Sequence, residues 1–172
     1  AYRRQRQMCI RDRAVCDLEG WELEKKPINW DSKDMELNSG SIDCIWNGFT
    51  MNGREDDYTF SEPYVDNSQV IVVADDSGIE KLTDLAGKTV GVQAASAALD
   101  LLQSEEEGGQ KELADTFGAL NEFADYNTAF TELQAGALDA LAIDVGVAKY
   151  QLNSRGEGFK ILDETLNTEQ YA

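Results

Sequence analysis

From Thr89 onward the sequence alternates short apolar runs with amphipathic segments, and this alternation constrains the fold more than any other feature. The apolar runs predict strands at TVGV (89–92), 120–124, LDALAI (138–143) and FKIL (159–162). The segments between them predict helices at 96–104, from an N-cap at Asn127 to Gly136, and at 145–154. Strands that alternate with such helices form βαβ units, so the sequence predicts an α/β fold with a parallel-rich sheet flanked by helices.

The front of the chain repeats this pattern less regularly. WELEKKPI (21–28) and IDCIW (42–46) are expected to be strands, with a short helix between them that is capped by Asp31 and ended by Gly40. The stretch VDNSQVIVVADD (65–76) has a β-branched core between polar flanks, which suits a strand that crosses between two lobes. We therefore expect two α/β lobes.

Composition excludes several classes of function. Acidic residues outnumber basic residues 33 to 15 and give a formal charge of −18, so we expect no nucleic-acid partner. No apolar run is long enough to span a bilayer. No apolar segment near residue 1 resembles a secretion signal, so a targeting signal is expected to be absent from this chain.

The histidine and cysteine content excludes further classes of function. The chain has no histidine, which excludes a histidine-based catalytic triad and histidine ligands to zinc. The cysteines at 9, 16 and 44 form no C-x-x-C pair, and Cys44 is expected in the core because it lies in an apolar run. These observations weigh against most hydrolases.

The first thirteen residues, AYRRQRQMCIRDR, differ in composition from the rest of the chain. They carry five arginines against one acidic residue and show no helical or strand periodicity. MCIRDR resembles a translated sequencing-adaptor sequence of the kind found at the ends of gene fragments. We expect residues 1–13 to be a non-native segment; the alternative is a genuine basic arm that contacts anionic lipid or a partner.

The stretch NGFTMNGR (47–54) carries groups that suit a small anionic ligand. Gly48 allows close approach to the backbone, Thr50 offers a hydroxyl, and the planar guanidinium of Arg54 can bind a carboxylate bidentately. All three follow the carboxyl end of the predicted strand 42–46, and ligands bind at that edge of open α/β sheets. The alternative for Arg54 is a solvated side chain paired with a neighbouring acidic residue.

Two later residues complete a candidate cleft. Ser96 opens a predicted helix after a strand, where exposed N–H groups and the helix dipole attract an anion. Asp144 ends a predicted strand and opens a helix, and its carboxylate suits an ammonium group. Helix capping explains both residues equally well. With the stretch 47–54, they describe a cleft with receptors for a carboxylate and for an amine.

From about Ala14 to Ala172 the chain resembles the amino-acid-binding, family 3 solute-binding proteins of ABC importers, which have the two-lobed periplasmic-binding-protein type II fold. The blocks that carry the resemblance are IDCIWNGFTMNGREDDYTFSEPY, LAGKTVGVQAASAAL and GALDALAIDVGVAKY. In that family, a hydroxyl and an Arg of the first lobe and a hydroxyl at a second-lobe helix start bind the α-carboxylate of an amino acid. An Asp at the end of a later strand binds the α-amino group.

The resemblance implies a ligand-binding role for particular residues of this chain. The carboxylate and amine receptors fall on Thr50, Arg54, Ser96 and Asp144, with the backbone at Gly48 and Asn47 beside the ligand. Trp30 stands where the family often has an apolar or aromatic wall, and packing beneath the first lobe is its alternative role. Two departures concern Arg54, which is one residue closer to Thr50 than is usual, and Ala95, which replaces the usual glycine.

The resemblance also implies a domain arrangement. The family's first strand precedes the matching region, and its return into the first lobe follows that region, so we expect a fragment with an incomplete first lobe. The expected divisions are residues 14–66 as part of the first lobe, 67–76 as the inter-lobe crossing, 77–163 as the second lobe and 164–172 as the start of the return crossing.

The function that the resemblance implies is binding without chemistry. The protein is expected to capture an amino acid between its lobes and deliver it to the permease subunits of an ABC importer, as a monomer with no catalytic residue, metal or cofactor. It is expected outside the cytoplasmic membrane, either periplasmic or lipid-anchored. The alternatives are a cyclohexadienyl-dehydratase-like enzyme on the same scaffold and the ligand-sensing domain of a receptor. The identity of the amino acid is left open.

Overall fold

The computed structural model describes residues 2–106 and 108–172, with side chains from Arg11 onward. Before the first strand lie the helices α1 (Tyr2–Glu19) and α2 (Lys33–Asn38), the latter preceded by a 3-10 turn at Trp30–Ser32. Strands and helices then alternate as β1 (Val65–Ala74), β2 (Thr89–Gln93), α3 (Ala97–Gln103), α4 (Lys111–Ala114), β3 (Ala119–Phe123), α5 (Tyr126–Gln134), β4 (Ala140–Asp144), α6 (Val145–Arg155) and β5 (Phe159–Tyr171). This confirms the alternation predicted from Thr89 onward.

The strands join into a mixed sheet in the order β3-β2-β4-β1-β5. Strand β2 runs parallel to both of its neighbours, β3 and β4, as the predicted βαβ units require. Strand β1 runs antiparallel to both β4 and β5. The predicted α/β class is therefore confirmed, with a parallel half and an antiparallel half in the same sheet.

Both faces of the sheet are buried, which explains why its central strands are apolar at nearly every position. Alternate residues of β1 and β4 point to opposite faces, because successive side chains of a strand do so. One face packs on α3, and its buried residues include Ile71, Val73, Val90, Val92, Ala98, Leu99, Leu102, Ala140 and Ala142. The other packs on α5 and α6, with Val70, Val72, Ala129, Phe130, Leu133, Leu141, Ile143 and Ala148.

The antiparallel pair β1 and β5 extends beyond the rest of the sheet. Strand β4 pairs with β1 over 69–73 only, whereas β5 pairs with β1 from Val65 to Ala74. At the projecting end, Thr50 forms an isolated bridge with Tyr171, and the N–H of Met51 donates to the carbonyl of Gln170 (2.9 Å). These contacts hold the segment 47–54 against the end of the sheet.

The predicted strands at 21–28 and 42–46 are wrong. Within residues 2–64 the structure has helices and irregular backbone, apart from the single bridge at Thr50. An extended apolar run becomes a strand only where a neighbouring strand supplies the partners for its N–H and C=O groups. An apolar pattern by itself does not reveal whether that neighbour exists.

Two predicted helix caps are also wrong. Asp31 lies inside the 3-10 turn at Trp30–Ser32 instead of capping a helix. Asn127 lies in the first turn of α5, and the N-cap of this helix is Asp125. The carboxylate of Asp125 accepts a hydrogen bond from the N–H of Thr128 (3.0 Å). Asp and Asn are both strong N-cap residues, so the sequence alone does not choose between neighbouring candidates.

The N-terminal region is helical, although its sequence shows no helical periodicity. Helix α1 runs through the change in composition at residue 13 without a break. Asp12 is 7% exposed and lies 3.7 Å from the ammonium group of Lys25. The non-native origin of residues 1–13 stays a prediction. Cys44, expected in the core, is exposed, while Cys16 is buried. Within the described residues, none of the helices has the length and apolar character needed to span a membrane.

Candidate functional site

A cavity of about 340 Å³ lies between the segment that precedes β1 and the carboxyl ends of β2 and β4. Its wall includes every site residue predicted from the sequence: Trp30, Asn47, Gly48, Thr50, Arg54, Ser96 and Asp144. It also includes residues that were not predicted: Phe49, Gln69, Gln93, Ala97, Tyr126, Gly146, Val147 and Tyr171. The fold brings the predicted residues together at one place, and ligand binding by them stays a prediction.

Arg54 reaches the cavity from a turn in which its N–H donates to the carbonyl of Met51 (3.0 Å). Its side chain is 11% exposed, and its guanidinium carbon lies 5.1 Å from the centroid of the Phe49 ring. An N–H group of the guanidinium also donates to the carboxylate of Asp100 on α3. A guanidinium carries five N–H donors, so this pairing leaves others for a second carboxylate. The shortened spacing from Thr50 therefore does not keep Arg54 out of the cavity.

The residues before Arg54 are held by contacts within the chain. Thr50 is 6% exposed and bridges to Tyr171. A Cβ at Gly48 would lie 2.5 Å from the Tyr171 ring, so this glycine is required for close approach of that ring. The carbonyl of Asn47 accepts a hydrogen bond from the Tyr64 hydroxyl (2.6 Å). The side-chain oxygen of Asn47 is buried with no hydrogen-bond partner among the described residues.

Ser96 lies at the opposite wall and caps α3. Its hydroxyl oxygen accepts a hydrogen bond from the N–H of Leu99 (3.2 Å), and its proton is donated to the carbonyl of Gln93 (2.7 Å). The phenol of Tyr126 also shares a hydrogen bond with Ser96. Burial, followed by the charge of Asp144, raises the pKa of Tyr126, so this phenol stays neutral. Capping of α3, one of the two roles open for Ser96, is confirmed.

Asp144 both caps α6 and lines the cavity. The residue is 7% exposed, and its Oδ1 accepts hydrogen bonds from the N–H groups of Gly146 (2.6 Å) and Val147 (2.9 Å). The other oxygen, Oδ2, accepts one from the side-chain amide of Asn67 (2.6 Å). These contacts fix the orientation of the carboxylate at the end of β4.

A buried polar cluster lies beside Asp144, along the antiparallel strands β1 and β5. Glu169 is 3% exposed, and its Oε1 accepts hydrogen bonds from the side-chain amides of Asn67 (2.6 Å) and Gln69 (2.5 Å). The hydroxyl of Thr50 also shares a hydrogen bond with Glu169. Burial, and then the charge of Asp144, raises the pKa of Glu169 despite these hydrogen bonds. The cluster therefore connects Thr50 to Asp144 through side chains of β1 and β5.

Trp30 combines the two roles left open by the sequence. It lines the cavity, and its ring also packs edge-to-face on Phe49 with a centroid distance of 5.5 Å. The Lys33 ammonium lies 5.4 Å from the centroid of the Trp30 ring and donates to the carbonyl of Ala95 (3.4 Å). This contact joins α2 to the loop that precedes α3, so both walls of the cavity are tied together beside Trp30.

The sequence carried a signal for some of the residues that were not predicted. Gln69 is a polar residue directly before the apolar run VIVV, a position where burial of an amide needs a specific reason. Tyr126 follows the N-cap Asp125 and so begins a helix at the same edge of the sheet as Ser96. Glu169 gave no comparable signal, because it lies in a polar stretch whose burial depends on pairing with β1.

The profile of the bacterial extracellular solute-binding proteins, family 3, matches residues 12–152 of this chain. Among curated proteins, the arginine-binding extracellular protein ArtP of Bacillus subtilis is 32% identical over 155 residues, covering 88% of this chain and 58% of the relative. The glutamine-binding protein of Geobacillus stearothermophilus is 31% identical over 156 residues, covering 87% of this chain and 54% of the relative. The chain thus spans less than two thirds of the length of these relatives.

The solved structures that this chain resembles are also substrate-binding proteins. An ABC uptake transporter substrate-binding protein from Streptococcus pneumoniae, solved with bound histidine, superimposes with a TM-score of 0.83 at 33% identity. The match covers 92% of this chain and 65% of that structure, so the predicted partial two-lobed scaffold is confirmed. These relatives are named as binding proteins and not as enzymes. The chain therefore belongs to the bacterial extracellular solute-binding proteins, family 3.

Proposed function

We propose that the protein to which this chain belongs is the extracytoplasmic amino-acid-binding component of an ABC importer. The observation that carries the proposal is the pairing of opposite charges in one cavity. The guanidinium of Arg54 and the carboxylate of Asp144 both line it, together with the hydroxyls of Thr50 and Ser96. An amino acid presents a carboxylate and an ammonium on one carbon, and this wall offers a complementary charge for each.

The size and burial of the cavity suit a free amino acid. A volume of about 340 Å³ lies near the lower end of the range for small-molecule sites, about 300–1,000 Å³. In the proposed complex, Arg54 and Thr50 contact the α-carboxylate, Asp144 contacts the α-ammonium, and Trp30 forms a wall beside the side chain. Ser96 contacts the carboxylate after its hydroxyl rotates away from the carbonyl of Gln93.

The polar groups of the cavity favour a ligand whose side chain donates hydrogen bonds. The side-chain oxygens of Asn47 and Gln69 are buried, and neither has a hydrogen-bond partner among the described residues. Both residues line the cavity. A buried acceptor without a partner costs free energy, and a guanidinium, imidazole or amide of the ligand would supply the missing donor once these side chains rotate towards the cavity. The names of the relatives, which include arginine, glutamine and histidine as ligands, support the same class.

Transport follows from closure of the two lobes around the ligand. Strands β1 and β5 are the crossing segments, and the cavity lies where they meet Thr50 and the sheet. Closure about such crossings sequesters the ligand, and the closed form presents surfaces of both lobes to a permease. The reaction is binding and release, and no bond is broken in it.

A thermal-shift screen of the twenty amino acids tests the proposal, applied to this chain and to the intact gene product. A ligand at a hundred times its Kd stabilises the folded form by about 2.7 kcal/mol, which corresponds to a rise in Tm of about 5–10 °C for a domain of this size. For the amino acid with the largest shift, the matched controls are its α-amide and its N-acetyl derivative, which lack the carboxylate charge and the ammonium charge.

The expected result is a shift with one or a few polar amino acids and no shift with either derivative. An equal shift with the amide would remove Arg54 and Thr50 from the proposed role. No shift with any amino acid in the intact protein would contradict the proposal, and turnover of prephenate or arogenate would then identify the protein as an enzyme on this scaffold.

A further inference from the structure

The described residues that contact Glu169 offer it no positive charge. Glu169 lines a second cavity, of about 560 Å³, and the other ionisable residue in the described wall of that cavity is Asp66 of β1. Across the polar cluster, Asn67 bridges Glu169 to Asp144, at the junction of β4 and α6. The phenol of Tyr126 on α5, which is neutral, also interacts with Glu169. These neighbours are acidic or neutral, and an acidic environment favours the protonated form of a buried carboxyl.

The two oxygens of Glu169 differ in their hydrogen bonds, because both amide donors bind the same one. Asn67 and Gln69 both donate to Oε1, which therefore acts as an acceptor. The carboxyl also shares a hydrogen bond with the Thr50 hydroxyl, and that residue lines the proposed amino-acid site. Burial and the charge of Asp144 raise the pKa of Glu169, which makes protonation accessible closer to neutral pH.

A hydroxyl has one proton to donate, and this limits what Thr50 can do. If Glu169 is ionised, its carboxylate can only accept, so the proton of the Thr50 hydroxyl is used up in that hydrogen bond. Thr50 then presents lone pairs to the cavity, and the carboxylate of an amino acid cannot accept a hydrogen bond from it. If Glu169 is protonated, its O–H donates to the Thr50 oxygen, and the proton of Thr50 becomes available to the ligand.

We propose that Glu169 is the positioning residue for Thr50 and takes up a proton when an amino acid binds. This inference rests on the proposed function, because it assigns the hydroxyl of Thr50 to the ligand carboxylate. Binding transfers one proton from solvent to the Glu169 carboxyl, and the Thr50 hydroxyl turns from Glu169 to the ligand. The amino-acid affinity of the protein therefore falls as pH rises above the pKa of Glu169.

The test is isothermal titration calorimetry with the amino acid that gives the largest thermal shift, performed on the intact protein. Titrations in two buffers with different ionisation enthalpies report the number of protons taken up. The expected result for the wild type is an uptake of up to one proton and an affinity that weakens by as much as about tenfold per pH unit above the raised pKa of Glu169.

Glu169→Gln is the diagnostic variant, because the side-chain amide of Gln imitates a protonated carboxyl. Its oxygen accepts from Asn67 and Gln69, and its N–H donates to Thr50. We expect it to bind the amino acid without proton uptake and with a constant affinity over the same pH range. Asp163→Asn, on the exposed face of the same strand, is the matched control and should keep the behaviour of the wild type.

Outcomes that overturn the inference differ from those that overturn the proposed function. Binding by the wild type with no proton uptake, or an unchanged pH dependence in Glu169→Gln, would disprove proton coupling while leaving amino-acid binding intact. Absence of binding to every amino acid at every pH would disprove both. If Glu169→Gln does not fold, the proton count of the wild type decides the question without it.

Discussion

Arg54 and Asp100 form an ion pair that joins the segment before β1 to helix α3 at the edge of the cavity. The side chain of Arg54 is 11% exposed and that of Asp100 is 59% exposed, so solvent screens the pair on one side. The same guanidinium is the proposed receptor for the carboxylate of the ligand. Asp100 therefore places a competing negative charge beside the group that has to bind an anion.

Replacement of Asp100 by Asn is expected to tighten amino-acid binding by about two- to fivefold at low salt, the range that an exposed ion pair supports. The reason is the loss of a negative charge beside Arg54, and the effect should shrink as salt is added. Calorimetry at two ionic strengths measures it. Asp115→Asn is the control, because Asp115 pairs with Lys111 on α4, away from the cavity wall. Weaker binding in Asp100→Asn would instead assign the ion pair to closure of the lobes.

Gly48→Ala is expected to destabilise the protein by about 1–3 kcal/mol, the usual cost of overpacking. The new Cβ would lie 2.5 Å from the ring of Tyr171, which is buried and bridges to Thr50. Denaturant unfolding measures the loss of stability. The double variant Gly48→Ala with Tyr171→Ala should show a non-additive recovery, because removal of the ring removes the clash. Strict additivity of the two changes would show that the clash is relieved in another way.

Ala95→Gly is expected to stabilise the protein by up to about 1 kcal/mol, because relief of about 1–2 kcal/mol of left-handed strain exceeds the entropic cost of glycine, about 0.5–1 kcal/mol. Ala95 has a φ of 53°, in the left-handed region where a Cβ is unfavourable and glycine is not. Thermal or denaturant unfolding measures the gain. The opposite effect is expected for Ala148→Gly, because Ala148 lies in the interior of α6 with an ordinary helical backbone. A loss of stability in Ala95→Gly would mean that flexibility of the unfolded chain outweighs the relief of strain.

The pH dependence of stability is expected to carry a contribution from Glu169. Its pKa in the folded protein is raised above the ordinary value of 4.5, mainly by burial. The folded protein therefore keeps a proton that the unfolded chain has already lost, so stability falls as pH rises from about 4.5 through the raised pKa. Above that pKa the contribution is constant.

Unfolding of the wild type and Glu169→Gln at several pH values measures this contribution as the difference between the two proteins. The general repulsion within an acidic chain affects both and cancels in the comparison. The expected difference grows in favour of Glu169→Gln as pH rises. A difference that does not change with pH would show that the pKa of Glu169 is the same in the folded and unfolded states.

The sheet from Thr89 onward could be predicted because its strands are buried on both faces and its helices are amphipathic, so periodicity reports the structure directly. The run IDCIW has the same apolar character, yet it forms no strand in the described part of the chain. Its apolar composition indicates that the segment avoids water. A strand also needs a neighbouring strand that pairs with its backbone N–H and C=O groups. That partner is a property of the tertiary structure.

The candidate site also contains residues that could be predicted from the sequence and one, Glu169, that could not. The predicted residues carry recognisable chemistry at the ends of elements, and all of them line one cavity. Glu169 was missed because its role depends on three side chains from other parts of the chain: Asn67, Gln69 and Thr50. A glutamate in a polar stretch is normally exposed, and only its pairing with β1 buries it.

The central claim is tested most directly by calorimetric titration of the best-shifting amino acid into the intact wild type and the variant Arg54→Ala. Two charge-assisted hydrogen bonds, each contributing about 1.5–3 kcal/mol, predict a loss of affinity of more than about a hundredfold. A thermal melt of each protein shows whether the variant remains folded. Binding by the wild type and its loss in folded Arg54→Ala is the predicted result. Normal affinity in Arg54→Ala would contradict the proposed amino-acid site.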